Sequence, residues 1–285
     1  MRKAALTILA AIAAPAWTAL AELDVQEKAT IRKTWTISVP ADQMEVKVDN
    51  IDGSIDVVGY SGRDIEIVAD QTIQAESNDK LQRAKQEVRL LLEQKGNSIE
   101  AYVDAPWRCQ NGINYRGWRY YGYKVSYDFR VKLPPEARLY LRNINRGGIK
   151  VMSMSGNFDI ENINGGIEML EAGGSGRAYA LNGKVKILFT RNPRAESYFG
   201  SLNGDVDLYF RPNLAADFRL KNFNGGIYTD FPVTYLPASS PKQERRNGMF
   251  VYHSNDFFGA RVGNGGPEIK VEGFNGNIRM HEREN

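Results

Sequence analysis

Residues 158–169, FDIENINGGIEM, and their near copy at residues 218–229, FRLKNFNGGIYT, decide the fold. Both read apolar-x-apolar-x-Asn-apolar-Asn-Gly-x-apolar-x-apolar. Alternating apolar side chains on each side of the Asn-Gly pair predict two short β-strands. The pair itself predicts a bend, because Asn and Gly both tolerate a positive φ.

This pattern is repeated along the chain. Weaker copies are centred on Gly53, Gly147, Gly183, Gly204 and Gly276, and the spacing from Gly165 through Gly183 and Gly204 to Gly225 is 18, 21 and 21 residues. The second bend of each period varies in sequence. A fixed bend alternating with a variable one predicts a β-solenoid-like stack of two-strand repeats, about 24 Å tall for five coils. An up-and-down antiparallel meander is the alternative, because Asn-Gly also favours hairpins. The recurring apolar residue before each Asn-Gly favours the stack.

Equivalent bends in a stack would place their side chains in columns. The amides of Asn164, Asn182, Asn203 and Asn224 are therefore expected to form a hydrogen-bonded ladder. A row of calcium ligands is the alternative, but calcium requires converging carboxylates and carbonyls, and we expect no metal site. The predicted structural turns are Asn164-Gly165, Asn182-Gly183, Asn203-Gly204, Asn224-Gly225 and Asn275-Gly276.

The rest of the chain fits one domain, residues 22–285, around this stack. Strands are predicted at residues 29–39, 45–57 and 65–72, one short helix at 77–87 and a hairpin at 88–103. An aromatic and basic insertion occupies residues 104–124, and a polar loop occupies residues 237–247.

Residues 1–21 have the pattern of a secretory signal. Arg2 and Lys3 precede a small apolar stretch, and Ala19-Leu20-Ala21 fits the small-x-small cleavage rule. An uncleaved anchor is the alternative. No later stretch approaches 18 apolar residues, so no transmembrane segment is expected in the mature chain. The protein is expected to be exported and to be periplasmic, cell-surface or secreted. The single cysteine, Cys109, is expected to be a buried thiol or a link to another chain.

The motifs together resemble the putative-adhesin family of exported bacterial β-strand-repeat proteins. The resemblance covers roughly residues 40–280 and rests on the Asn-Gly coils, the helix with its hairpin, and the closing Asn275-Gly276. It implies a β-solenoid-like domain at the cell envelope. Adhesion is the name given to this family more than an activity demonstrated for it. The aromatic insertion lies outside the family pattern.

The insertion supplies the candidate ligand-binding residues. Residues 102–129 contain 9 of the 30 aromatic residues, and residues 105–127 contain four basic side chains and no acidic one. Aromatic faces stack on sugar rings, and arginine pairs with carboxylates or phosphates. The alternative is a hairpin that caps the stack. The candidate ligand-binding residues are Trp107, Arg116, Trp118, Arg119, Tyr120 and Tyr121.

The sequence contains few features that would indicate an enzyme, and we expect no catalytic residues and no cofactor. The only histidines are His253 and His281, and neither has a nucleophile motif around it. Asp205 and Asp207 lie two apart on one predicted strand, a pattern that is common on solvated strands. The net charge of +3 argues against nucleic-acid binding.

The predicted function is therefore that of a non-catalytic envelope protein. It would bind an envelope glycan or anionic polymer, or a membrane-associated protein. A polysaccharide-active solenoid enzyme and an envelope-stress accessory protein are the alternatives.

Overall fold

Alternating apolar and polar side chains make most of the chain β-strand, and the strands form two large sheets. The computed structural model describes residues 23–109, 112–113, 120–237, 242–246, 249–253 and 257–283. These residues include one α-helix and a short 3-10 turn at Ala41–Gln43. The prediction of an all-β protein with one short helix is thus confirmed for the described part of the chain.

The N-terminal half begins with nine strands and the helix. They are β1 (Val25–Thr36), β2 (Glu45–Asp52), β3 (Ile55–Gly59), β4 (Asp64–Ala75), α1 (Asn78–Glu87), β5 (Arg89–Lys95), β6 (Ser98–Asp104), β7 (Arg108–Cys109), β8 (Gly112–Ile113) and β9 (Tyr123–Leu133). Helix α1 begins after Ser77, whose hydroxyl accepts a hydrogen bond from the Lys80 N–H at 3.3 Å. Its apolar face is buried through Leu81 and Ala84. Strands β5 and β6 pair antiparallel as the predicted hairpin.

The repeats follow as pairs of consecutive strands, and we call each pair a rung. Their strands are β10 (Arg138–Asn145), β11 (Ile149–Met152), β12 (Phe158–Asn164), β13 (Ile167–Ala172), β14 (Gly176–Asn182), β15 (Val185–Phe189), β16 (Ser197–Asn203), β17 (Val206–Phe210), β18 (Ala216–Asn224) and β19 (Ile227–Thr229). The first strand of each rung joins one sheet and the second joins the other. Strands β2 and β3 form a further rung of this kind.

The C-terminal part adds six strands: β20 (Val233–Leu236), β21 (Lys242–Arg246), β22 (Met249–His253), β23 (Phe258–Val262), β24 (Glu268–Asn275) and β25 (Ile278–Glu282). Strands β21 and β22 pair as an antiparallel ribbon. The expectation of a loop throughout residues 237–247 is therefore wrong for Lys242–Arg246. In the sequence, Asn247-Gly248 separates this charged run from an apolar run, and that is the pattern of a two-residue hairpin.

Neighbouring rungs pair in parallel in both sheets. The ten-stranded sheet has the order β1-β4-β9-β3-β11-β13-β15-β17-β25-β19, and the eleven-stranded sheet has the order β20-β23-β18-β24-β16-β14-β12-β10-β2-β6-β5. All pairs from β3 to β19 and from β18 to β6 in these orders are parallel. Antiparallel pairs occur towards the ends of the sheets. An antiparallel meander therefore does not describe the repeats.

The rungs do not follow one another in chain order. The last rung, β24 and β25, lies between the rung of β16 and β17 and the rung of β18 and β19. Asn275 consequently separates Asn203 from Asn224 in the column of bends. The expectation that Asn203 and Asn224 are neighbours is wrong, because a single-sequence repeat does not encode where the C-terminal copy inserts.

The core lies between the two sheets and is filled by the inward side chains of each rung. Ile160, Phe199 and Val271 are fully buried on one sheet, and Ile187 and Phe210 are fully buried on the other. Burial of such side chains contributes about 1.5–3 kcal/mol each to stability. This apolar interior fixes the register that brings the Asn-Gly bends into one column.

The glycine of the Asn-Gly bend is required chiefly by close backbone approach. A Cβ at Gly183 would lie 2.3 Å from the carbonyl oxygen of Gly165, and one at Gly204 would lie 2.4 Å from that of Gly183. Neither glycine has a φ in the left-handed range, whereas Gly225 does, at 134°. A positive φ therefore explains the glycine at some bends only. At Gly183 and Gly204 glycine is required because the backbones of successive bends lie too close together for a side chain.

Candidate ligand-binding cavity

The aromatic insertion occupies the place of an Asn-Gly bend. Strand β6 pairs in parallel with β2, and β9 pairs in parallel with β3, so β6 and β9 form a rung next to that of β2 and β3. In β2 and β3 the chain turns at Gly53, whereas residues 105–122 connect β6 to β9. The insertion therefore leaves the fold at one end of the column of Asn-Gly bends.

Three aromatic rings of this region form a cluster. The ring centroids of Trp107 and Tyr121 are 4.9 Å apart, those of Tyr121 and Tyr123 are 5.6 Å apart, and those of Trp107 and Tyr123 are 6.1 Å apart. All three pairs are tilted, an arrangement in which ring edges meet ring faces favourably. The cluster forms an aromatic wall.

Two tyrosine hydroxyls anchor this wall and its rim by hydrogen bonds to Glu87 of helix α1 and to Glu76, which precedes the helix N-cap. The Tyr123 hydroxyl donates to the Glu87 carboxylate, and the Tyr120 hydroxyl donates to Glu76 Oε1 at 2.7 Å. Burial, together with the Glu87 charge, raises the pKa of Tyr123 well above its ordinary value. The same hydrogen bond lowers the pKa of Glu87. Both groups therefore keep the protonation states that this hydrogen bond requires at neutral pH.

A buried arginine anchors the start of the insertion. The Arg108 side chain is 5% exposed and contacts the Asp49 carboxylate at 2.5 Å. It also donates to the Tyr102 hydroxyl at 3.0 Å, and its guanidinium lies 4.4 Å from the centre of the Tyr102 ring. A guanidinium with charge, hydrogen-bond and ring partners is held in one geometry. Trp107, the preceding residue, is fixed accordingly.

The wall lines one side of a cavity of about 610 Å³ at the edge of the rungs. Ile51, Val125 and Leu23 supply further apolar surface to this cavity. Asp52, Lys124, Asn145, Arg146 and Asn164 line its polar part. A volume of this size, mostly apolar with a few polar groups, is typical of a small-molecule site.

The polar part of the cavity is one end of an amide ladder. Six asparagines, Asn145, Asn164, Asn182, Asn203, Asn275 and Asn224, are joined by hydrogen bonds of 3.1, 2.9, 2.8, 2.7 and 2.8 Å between side-chain amides. In every bond the Nδ2 of one residue donates to the Oδ1 of the neighbour nearer the cavity. Asn145 accepts from Asn164, and its own Nδ2 donates to no described residue. The ladder therefore presents a donor, polarised by the bonds behind it, at the cavity.

A carboxylate replaces asparagine at the next position. Asp52 is in register with Asn145, and its side chain is 14% exposed. Arg146 Nη2 lies 3.0 Å and Lys124 Nζ 3.9 Å from Asp52 Oδ2. Burial raises the pKa of Asp52 to about 6, and the Arg146 charge opposes this rise. The polar end of the cavity thus combines two cations with one carboxyl group that titrates near neutrality.

A second asparagine column lies inside the bends. Asn50, Asn143 and Asn162 are buried and donate to backbone carbonyl oxygens of a neighbouring rung or of their own bend. Asn143 and Asn162 donate to bend glycines, as in the 3.1 Å bond from Asn162 to Gly166, whereas Asn50 donates to Tyr127 within β9. Asn222 makes the same kind of contact with Gly276 at 2.9 Å. The sequence signal was the first Asn of the Asn-apolar-Asn-Gly pattern, to which the sequence analysis assigned no role.

The predicted ligand-binding residues are placed unequally. Trp107 and Tyr121 belong to the wall, and Tyr120 lies at its rim with 69% of its surface exposed. Arg116, Trp118 and Arg119 lie outside the described residues. The sequence analysis missed Asp52 and Arg146, because they come from the bends of other rungs. Cys109 is exposed and free, so the expectation of a buried thiol is wrong.

Cations contact both members of the carboxylate pair Asp205 and Asp207. Only Asp207 lies on β17, because that strand begins at Val206, so the expectation that both lie on one strand is wrong. Arg279 Nη1 lies 2.8 Å from Asp205 and 3.0 Å from Asp207, and Lys184 also contacts Asp207. The hydrogen bond from the Asn277 N–H lowers the pKa of Asp205, and Arg279 lowers it further. Within the described part of the chain, no group of three or more His, Cys, Asp or Glu side chains is placed to hold a metal ion. The helix of that part is too short and polar to cross a membrane.

Comparisons with known proteins give similarity to solved structures only. No protein-family model matches the chain, and no curated protein matches it in sequence. A putative cell adhesion protein from Clostridium sporogenes is 8% identical with a TM-score of 0.44, and 90% of this chain and 100% of that chain are covered. A putative adhesin from Bacteroides fragilis is 10% identical, with a TM-score of 0.27 and coverage of 90% and 97%.

A putative lipid binding protein from Parabacteroides distasonis is also similar, at 14% identity and a TM-score of 0.24, with 87% and 96% covered. The first two descriptions are those of the family that the sequence resembles. At these identities and TM-scores, the likeness assigns no ligand to this chain.

Proposed function

We propose that this chain is a non-catalytic binding protein of the cell envelope whose ligand occupies the cavity beside the aromatic insertion. Export rests on the signal pattern of residues 1–21, and the periplasm, the cell surface and the medium all agree with it. The rungs would serve as a rigid β-solenoid-like support. Parallel pairing of neighbouring rungs, the amide ladder and the column of glycine contacts support that description of the fold.

The cavity is the observation that carries the proposal. Trp107, Tyr121 and Tyr123 offer ring faces and edges, and Ile51 and Val125 add aliphatic surface. Such a lining binds the apolar part of a ligand by removing its surface from water.

The polar end of the cavity favours an anionic group on the same ligand. The Nδ2 of Asn145, the Arg146 guanidinium and the Lys124 ammonium supply donors, and Asp52 neutralises one of the two cations. A carboxylate or phosphate accepts hydrogen bonds from such donors. We therefore propose an anionic amphiphile of the envelope as the ligand class, either a free lipid or the acylated part of an envelope polymer.

The outer face of the ten-stranded sheet supports a non-catalytic role. Its side chains alternate in sign along one row, in the register order Asp56, Lys150, Glu168, Lys186, Asp207 and Arg279. Lys186 and Glu168 form an ion pair at 3.1 Å. A row of neutralised charges lacks the converging, unpaired carboxylates that glycoside hydrolysis uses.

Binding of 1-anilinonaphthalene-8-sulfonate, which joins apolar rings to an anionic group, tests the proposal. We expect saturable fluorescence enhancement in the folded protein and its displacement by decanoate. Trp107→Ala should weaken binding at least tenfold. Trp35→Ala is the matched control, because Trp35 packs on the core from β1, away from the cavity.

Two further comparisons test the apolar part and the polar part of the site separately. Arg146→Gln should weaken decanoate more than the neutral amphiphile decanol, because the side chain acts on the anionic group. Equal binding by wild type and folded Trp107→Ala would contradict the proposed site. Displacement by decanol as efficient as by decanoate would contradict the anionic ligand class.

A further inference from the structure

A depression on the outer face of the eleven-stranded sheet lies several rungs away from the cavity. The outward side chains of one row are, in register order, Tyr102, Asp49, Arg142, Glu161, Tyr179, Gly200, Glu272 and Lys221. Every position except Gly200 carries a charged or aromatic side chain. A space of about 550 Å³ lies beside Gly200 and is lined by side chains of this and the neighbouring strands, among them Tyr179, Tyr198, Lys221, Glu272 and Phe274.

Backbone conformation does not demand glycine at this position. Gly200 has no φ in the left-handed range, and it lies within strand β16. A Cβ there would lie 3.0 Å from the Glu272 carbonyl oxygen and 3.1–3.2 Å from atoms of the Tyr179 and Tyr198 side chains. Glycine at this position therefore lets the Tyr179 and Tyr198 side chains pack against the backbone of β16, and both tyrosines line the depression.

Aromatic rings surround the depression. The ring centroids of Tyr179 and Tyr198 are 6.3 Å apart. On another side, Phe223 and Phe274 stack with centroids 4.7 Å apart and planes 6° from parallel, and they remain 68% and 42% exposed. Two stacked phenylalanines exposed to water next to a recess form an apolar platform that the core does not use.

Polar groups of both signs lie beside these rings. The Tyr198 hydroxyl donates to Glu272 Oε2 at 3.1 Å, and Lys221 Nζ lies 4.0 Å from Glu272 Oε1. The Arg177 guanidinium lies 5.2 Å from the centre of the Tyr179 ring and 5.7 Å from that of Tyr198. Carboxylate, hydroxyl, guanidinium and ammonium groups thus converge within one recess.

This combination suits the two kinds of surface on a sugar. A pyranose ring has a flat C–H face that packs on aromatic rings and hydroxyls that both donate and accept hydrogen bonds. A purely anionic ligand would meet the Glu272 carboxylate, and a purely apolar ligand would desolvate charged groups without replacing their hydrogen bonds. We propose that the depression at Gly200 is a second binding site, for a pyranose ring of a glycan. It is independent of the cavity beside the insertion.

Saturation-transfer NMR with four methyl glycosides tests this site: those of glucose, galactose, N-acetylglucosamine and glucuronic acid. We expect saturation of the ring protons of at least one glycoside by the wild-type protein. Phe223→Ala, which removes one ring of the stacked platform, should reduce that transfer at least tenfold. Phe274→Ala should reduce it as well, and Glu272→Gln should weaken it through the lost acceptor charge.

Two controls make the outcome specific. Tyr140→Ala removes an aromatic side chain from the same face outside the depression and should leave the transfer unchanged. Trp107→Ala should also leave it unchanged, so failure of the amphiphile cavity and failure of this site are distinguishable. Circular dichroism establishes that Phe223→Ala is folded, and Phe274→Ala with Glu272→Gln provides the test if it is not. The proposal is overturned by absence of transfer to all four glycosides, or by undiminished transfer in the folded recess variants.

Discussion

Replacement of Asp52 by asparagine should change how stability depends on pH. Burial beside Arg146 and Lys124 raises the pKa of Asp52 from the ordinary 3.8 to about 6, and the repulsive charge of Asp128 adds to this rise. A folded-state pKa above the unfolded value means that the folded protein holds this proton more tightly. The stabilisation is fully present below about pH 4 and is lost as pH rises through about 6.

The magnitude follows from the shift. A difference of about two units at about 1.4 kcal/mol each gives about 3 kcal/mol. The amide introduced by D52N would remain neutral at every pH, and it could accept from Asn145 as the next member of the amide ladder. We therefore expect D52N to gain about 3 kcal/mol relative to wild type between about pH 4 and about pH 7.5. The loss of the ion pair between Arg146 and Asp52 adds no separate contribution, because that pair already acts on the pKa of Asp52 from which the value of about 3 kcal/mol was calculated.

Urea unfolding of both proteins across this range measures the difference. Subtracting one curve from the other removes the contributions of all other titrating groups. Asp159→Asn is the control, because the Asp159 side chain is 50% exposed and lies on β12, two strands from β2 in the same sheet. A D52N curve parallel to wild type from acid to neutral pH would refute the reasoning, as would a variant that loses stability relative to wild type towards neutral pH.

Four further substitutions examine the rungs by chemical denaturation. Phe199→Ala should lose about 3–5 kcal/mol, because this fully buried ring packs between Phe158 and Phe189; a loss below about 1 kcal/mol would contradict the packing. Asn162→Ala, inside a bend, should lose about 2 kcal/mol, and Asn203→Ala, in the exposed ladder, about 1 kcal/mol; the reverse order would contradict the assigned roles. Gly204→Ala should lose at least about 2 kcal/mol through the close approach described for this bend, and an unaffected midpoint would argue against it.

Local sequence patterns predicted the strands and bends of this fold well. Period-2 alternation reports which side chains face the core, and it located the two strands on either side of Gly165 and Gly225. The asparagine column was also visible, because identical residues at equivalent bends are expected to be neighbours. Such signals are local, and each is contained within about twelve residues.

Features that depend on distant parts of the chain were not predictable. Neither the insertion of β24 and β25 between earlier rungs nor the approach of Asp52 and Arg146 to the insertion has a local signature. The depression beside Gly200 was equally hidden, because its lining residues come from four strands, β14, β16, β18 and β24, that are distant in the sequence. The aromatic composition of the insertion revealed the aromatic wall of the cavity. It gave no information on the polar residues that line the rest of the cavity.

The placement of the last rung has a consequence for biosynthesis. Strands β18 and β19 are synthesised before β24 and β25, yet in the folded protein they pair with those two later strands. Until β24 and β25 emerge, the edge of β16 and β17 remains open, and β18 and β19 have no neighbouring rung to pair with. An exposed edge of this kind invites association with other chains. Assembly of this half of the protein is thus completed only once β24 and β25 are available, and their rung acts as the closing piece.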